Sequence, residues 1–150
     1  MHLDALFAHW RQVDADLRVM MGLFGEEDLA YTPFPGSWSV GQILLHIADA
    51  EEGWFRFVAT REYDQWPGDL RLEEYPNLEA IGALLDGVHA RTEAYLATLE
   101  LADLDRVIDA GTAGRYRLGW IIWHVLEHTI HHRGELSLIL GLLGREGLDV

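Results

Sequence analysis

The stretch from Leu118 to Leu143 constrains the chain more than any other. It reads as one long apolar helix. It carries four histidines, His124, His128, His131 and His132, within nine residues. At about 100° per residue, side chains at i and i+4 stack one turn apart on one face. His128 and His132 stand in that relation, with His124 one turn earlier and His131 slightly to one side. Ile121, Val125, Leu136 and Ile139 lie beside the same face. The imidazoles therefore look inward, toward whatever packs on this helix.

Two imidazoles at i and i+4 can serve one metal ion. A catalytic centre usually takes three protein ligands and leaves a position open, so a third donor has to come from elsewhere. His2, His9, His46 and His89 remain, and there is no cysteine. His46 is the best placed by local pattern. It lies in SVGQILLHIADAEEGWFRFV, a second strongly helical segment, on the side that carries Ile43, Ala50, Trp54 and Phe57. Gly53 falls on that side two turns along and leaves room there. His124 is the reserve, since it shares the face of His128 at the same spacing. His89 has Asp86 and Glu93 at helical spacing, which reads as an exposed pair with no metal role.

Two further helices complete the pattern. Leu3 to Leu23 carries Leu3, Leu6, Phe7, Trp10, Val13, Leu17, Met20 and Met21 at three-four spacing. Gly25 stops it, and the connection from Glu26 to Ser37 contains TPFPGS, whose prolines and glycine do not suit a helix interior. Ser37 is the expected N-cap of the second helix, which runs to about Thr60. Residues 61–77 form a polar, acidic excursion with Pro67 and Pro76. Its Tyr63, Trp66 and Tyr75 either line a pocket or simply pack. Asn77 starts the third helix, which reaches about Leu99 on the stripe Ile81, Leu84, Leu85, Val88, Thr92, Tyr95 and Leu96. A Gly-rich turn between Val107 and Tyr116 predicts a short hairpin before the last helix. Its GTAG lacks the pattern and the lysine of a phosphate loop.

Four long amphipathic helices predict an all-α fold, a four-helix bundle forming a single domain over residues 1–150. In a bundle, inward side chains from two helices can meet one ion, here His46 with His128 and His132. No Glu-x-x-His pair or HExxH motif is present, which removes a ferritin-like di-iron site and a zincin-type protease.

Eleven basic residues, all arginine, face 25 acidic ones, for a net charge of −14. Such a chain is repelled by nucleic acid and by anionic membrane surfaces. No apolar run reaches the ~18 residues that span a bilayer, and the N-terminus lacks the pattern of a secretory signal. A cytoplasmic address is expected. With no cysteine, disulfides and a protein thiol nucleophile are excluded, and any reacting thiol has to be a cosubstrate.

Two motifs carry a family likeness. One is Trp38-Ser39 followed by Ile43-Leu44-Leu45-His46-Ile47 and Glu51. The other is His128-Thr129-Ile130-His131-His132-Arg133-Gly134-Glu135. In these motifs, and in helix order and length, the chain resembles the DinB-like superfamily of bacterial four-helix bundles. The resemblance implies a three-histidine site for a divalent metal at His46, His128 and His132, and a homodimer. Its members include mycothiol-dependent maleylpyruvate isomerase and bacillithiol S-transferases. The expectation is a metal-dependent enzyme acting on a small molecule, with thiol S-transfer ahead of metal-dependent hydrolysis. A non-enzymatic dimeric metal-binding protein is the remaining alternative. An all-imidazole site suits zinc or nickel. Asp49 and Glu127 lie within about a turn of the proposed ligands, where each can orient an imidazole or stay solvated. Glu135 is placed to be a fourth ligand or a base. Trp10, Trp120 and Trp123 offer either core or dimer interface.

Overall fold

The computed structural model describes residues 3–148. His2 lies outside them, and so do the side chains of Leu3 and Leu6. Four helices form the body: α1 (Leu3–Met21), α2 (Val40–Glu52), α3 (Leu78–Leu96) and α4 (Leu118–Leu142). A two-stranded antiparallel hairpin, β1 (Val107–Asp109) with β2 (Arg115–Arg117), precedes α4 in the register Ile108 opposite Tyr116. The predicted bundle and hairpin are both present. Helix α4 packs on α1 and α2, and α3 packs on the same two helices. This arrangement sets α2 directly beside α4.

Local chemistry explains the helix ends. The cap of α2 is Ser39, two residues later than the expected Ser37. Ser39 and Gln42 make a reciprocal capping box: the Ser39 Oγ accepts from the Gln42 N–H at 3.3 Å, and Gln42 Oε1 accepts from the Ser39 N–H at 2.8 Å. Ser37 instead donates its hydroxyl to the Phe34 carbonyl and closes the preceding turn. Asn77 caps α3 as expected, accepting from the Ala80 N–H at 2.8 Å. The second helical stretch ends near Thr60, yet its last part, Gly53–Ala59, is a π-helix. Its wider turn is marked by the Thr60 N–H reaching back five residues to the Phe55 carbonyl. Arg61 then takes a left-handed conformation at φ 59°, which turns the chain out of the helix.

The apolar stripes meet in two groups. One joins Leu17, Leu44, Leu85 and Leu136; the other joins Trp10, Phe55, Ile121 and Val125. Each large apolar side chain so buried contributes roughly 1.5–3 kcal/mol. Trp10 is core at 2 % exposure, whereas Trp120 and Trp123 are about half exposed, so Trp10 offers no interface.

Between the two groups, along the helices, lies a buried polar layer: Asp14, Glu51, His89, Thr92, Thr129 and His132. His89 is therefore not an exposed partner of Asp86 and Glu93. The face of α3 that carries it turns toward α1 and α2. There His89 Nδ1 lies 2.8 Å from the Glu51 carboxylate and 3.7 Å from Asp14. Burial pulls the His89 pKa down, but the hydrogen bond and charge of Glu51 and the charge of Asp14 outweigh it and leave it raised. Burial pushes the Asp14 carboxyl up to about 7.

Two consequences can be measured by denaturant unfolding. His89→Ala leaves Glu51 and Asp14 buried without their cation and is expected to cost about 3–5 kcal/mol. Asp14 binds a proton in the folded state that it lacks when unfolded, between its ordinary value and about 7. Its contribution to stability is therefore lost as pH rises through that window. Asp14→Asn mimics the protonated form, so its stability relative to the parent should improve from pH 5 to pH 8, by on the order of 1 kcal/mol.

Candidate metal centre

Helix α2 presents His46 to the face of α4 that carries His128 and His132. The three rings converge through their Nε2 atoms. His128 Nε2 lies 2.9 Å from His46 Nε2 and 3.1 Å from His132 Nε2. The structure thus brings together the three residues singled out by spacing and resemblance. His124 stays out: it stacks on Trp120 at 4.7 Å, lies edge-on to Trp54, and its ring centroid is 6.4 Å from that of His128. His131 is exposed.

The protonation states follow from the surroundings. Glu135 accepts a hydrogen bond from His132 Nδ1 at 2.5 Å. A neutral imidazole carries one N–H, so this bond leaves the lone pair of His132 on Nε2, facing the other two rings. Burial, reinforced by the neighbouring rings, lowers His128 to about 3. Burial also lowers His46, with His132 adding to the effect. In His132 burial outweighs the opposing pull of Glu135. All three are neutral at pH 7. Three convergent neutral imidazoles are a donor set that fits a late divalent ion.

The carboxylates around the three rings differ in what they touch. Glu135 is the hydrogen-bond partner of the His132 Nδ1, and so orients that ring. Asp49 points to Trp66, whose indole N–H donates to Asp49 Oδ2 at 2.9 Å. Glu127 is exposed. Spacing alone could have found Glu135, since i and i+3 are neighbours on a helix.

Trp38 packs on His46 at 4.4 Å and lies 6.0 Å from His132. It stands between two depressions. One, about 540 Å³, is lined by His46, Gln42, Asp49 and residues 69–73. The other, about 510 Å³, is more apolar and runs along Phe34, Ile43, Leu138 and Leu142. Part of the 61–77 excursion therefore walls the first depression. Trp66 pins it there, seated on Gly53: a Cβ at that position would lie 2.3 Å from the indole ring. The room that Gly53 leaves is filled by Trp66. Tyr75 packs against the core.

A model of the DinB superfamily matches residues 9–136. The chain belongs to the DinB superfamily. A relative from Geobacillus kaustophilus, named "putative metal-dependent hydrolase", is 30 % identical over 139 residues, covering 79 % of this chain and 75 % of its own. Among solved structures, a DinB-like protein from Bacillus cereus superposes with a TM-score of 0.75 over 99 % of this chain and 97 % of that one, at 18 % identity. YfiT from Bacillus subtilis, described as "a probable metal-dependent hydrolase with an unusual four-helix bundle topology", gives 0.61 at 27 % identity, over 87 % of this chain and 82 % of YfiT. The four-helix fold of this chain is thus one it shares with DinB-like structures.

The lowered His128 pKa has a measurable consequence. The unfolded chain takes up a proton near pH 6.5 that the folded, ion-free protein refuses until about 3. The contribution of this residue to stability is present above pH 6.5 and is lost as pH falls below it. Urea unfolding of ion-free protein at pH 7 and pH 5 should show a smaller loss in His128→Asn than in the parent. Equal losses would mean that the ring is not shielded.

Proposed function

We propose that this DinB protein is a divalent-metal-dependent hydrolase of a small molecule, with His46, His128 and His132 as the metal ligands. The convergence of three neutral Nε2 atoms at 2.9 and 3.1 Å carries the reading. The names of the Geobacillus relative and of YfiT favour hydrolysis. Thiol S-transfer, ranked first from the sequence, has no counterpart in those names, and hydrolysis takes its place.

A divalent ion held by three neutral imidazoles keeps its full charge and supplies Lewis acidity toward water and a substrate oxygen. The chain's own residues do the rest. Glu135 fixes the tautomer and the ring plane of His132. Trp38 covers one side of His46 and limits water there. The depression between His46 and the 69–73 wall leaves space for a small substrate. Zinc and nickel both suit these donors.

Metal analysis of purified variants at equal folded concentration tests the ligand set. His46→Ala, His128→Ala and His132→Ala should each lose stoichiometric metal, while His124→Ala and His89→Ala, if folded, keep it. Glu135→Gln should retain the ion but bind it about 10- to 100-fold more weakly in competition with a chelator. Full occupancy in His46→Ala would place the third ligand elsewhere. Zinc- or nickel-loaded protein that hydrolyses none of a panel of small esters, amides and lactones would overturn the hydrolase reading.

A further inference from the structure

A second group of metal-ligating side chains converges outside the histidine centre. Asp14 comes from α1, Glu51 from α2 and His89 from α3. All three are buried, at 8 %, 0 % and 8 % exposure. Their donor atoms lie within 4.8 Å of one another. His89 Nδ1 is 2.8 Å from Glu51 Oε2 and 3.7 Å from Asp14 Oδ2. Donors bound to one ion at about 2.0–2.2 Å stand roughly 2.8–3.8 Å apart at bond angles of about 90–120°, so both separations suit a shared ion. Asp14 Oδ2 faces His89 Nδ1 yet accepts no hydrogen bond among the described residues, and neither does Glu51 Oε1. Buried carboxylate oxygens in that state are costly unless a proton or a cation meets them. The charges point the same way. Of the ionisable groups that bear on Asp14 and His89, namely each other, Glu51, Asp86 and Glu93, His89 alone can be cationic. Its single positive charge faces two buried carboxylates, and the Asp14 carboxyl is pushed up to about 7.

From this arrangement we propose that Asp14, Glu51 and His89 hold a second divalent cation, separate from the histidine centre. Its donors are Oδ2 of Asp14, the carboxylate of Glu51 and Nδ1 of His89. Binding sends the Nδ1 proton of His89, and any proton on Asp14, to solvent, while Nε2 keeps the one N–H of the neutral ring. Two carboxylates and a neutral imidazole then balance the two charges of the ion, so the buried cluster carries no net charge. Carboxylate-rich donors of this kind suit manganese(II), whereas three imidazoles suit zinc or nickel. The cluster is reached from the edge between α1 and α3, where Asp14 and His89 keep about a tenth of their side-chain surface and Glu51 keeps none. With its donors buried on three different helices, the ion ties α1, α2 and α3 together and meets no substrate.

Manganese(II) is the probe that tests this. Zinc-loaded parent protein, and the His46→Ala/His128→Ala variant that lacks the histidine centre, are each titrated with it and followed by electron paramagnetic resonance. Each should bind one manganese ion per chain, and the echo modulation of the bound ion should show a single directly bound imidazole nitrogen. Asp14→Asn preserves the size of the side chain and should weaken manganese on the order of 100-fold. Glu51→Gln should act in the same direction, and Asp14→Asn decides the matter if that variant does not fold. Manganese should also raise the urea midpoint of the parent as its concentration rises, and leave that of Asp14→Asn where it is. Elemental analysis counts zinc and nickel apart from manganese, so the titration of the variant stands whatever the fate of the hydrolase reading. Manganese that fails to bind, or that binds Asp14→Asn as tightly as the parent, would overturn the proposal.

Discussion

Polar side chains inside an apolar bundle need partners or must stay neutral, and that requirement shapes the centre of this fold. Both apolar groups of the core are buried, and the layer between them holds Asp14, Glu51, His89 and His132 out of water. A buried charge is tolerated only with a partner, and a buried imidazole without one stays neutral. The two sides of the layer solve this differently. Glu51 and Asp14 surround His89 and favour its protonated form. His46, His128 and His132 have one another and a single carboxylate, and their charged forms are disfavoured. One polar layer thus gives an internal ion pair on one side and a set of convergent lone pairs on the other.

The geometry of the convergent set depends on two helices and one anchor. His128 and His132 share a rigid helical turn, so their separation is fixed by α4 itself. His46 arrives from α2, whose start is set by the Ser39–Gln42 box and whose face is set by Ile43, Leu44 and Ile47 in the core. Glu135 then removes the remaining freedom of the His132 ring. Outside the core, Trp66 does the corresponding work for the excursion. A glycine at 53 gives its indole a seat, and Asp49 gives its N–H an acceptor. The site therefore has a rigid floor of helices and a wall held by a specific aromatic contact.

Likeness at 18 % identity to the Bacillus cereus structure shows how little of the sequence this fold requires. The bundle needs apolar stripes, caps and turns, and many sequences supply them. What a bundle does is decided by the few side chains that its helices point inward and by the loops that border them. In this DinB protein the side chains gathered there are the three histidines, Glu135 and Trp38, bordered by residues 69–73.

The helices, the hairpin and the histidine pair on α4 are legible from residue order, because helical periodicity is a local property that three-four spacing reports directly. Residue order also pointed to His46, through the apolar neighbours that share its face. Tertiary structure decided what periodicity cannot carry. An inward face does not say which helix it meets, so Asp86 and Glu93 suggested an exposed His89 where Glu51 and Asp14, from other helices, hold it buried. Two serines stood near the start of α2, and only Ser39 has Gln42 three residues on to complete the box. The partner of Asp49 is a tryptophan 17 residues away, seated on a glycine across a loop. That contact depends on the path of the excursion through space, which no residue spacing encodes.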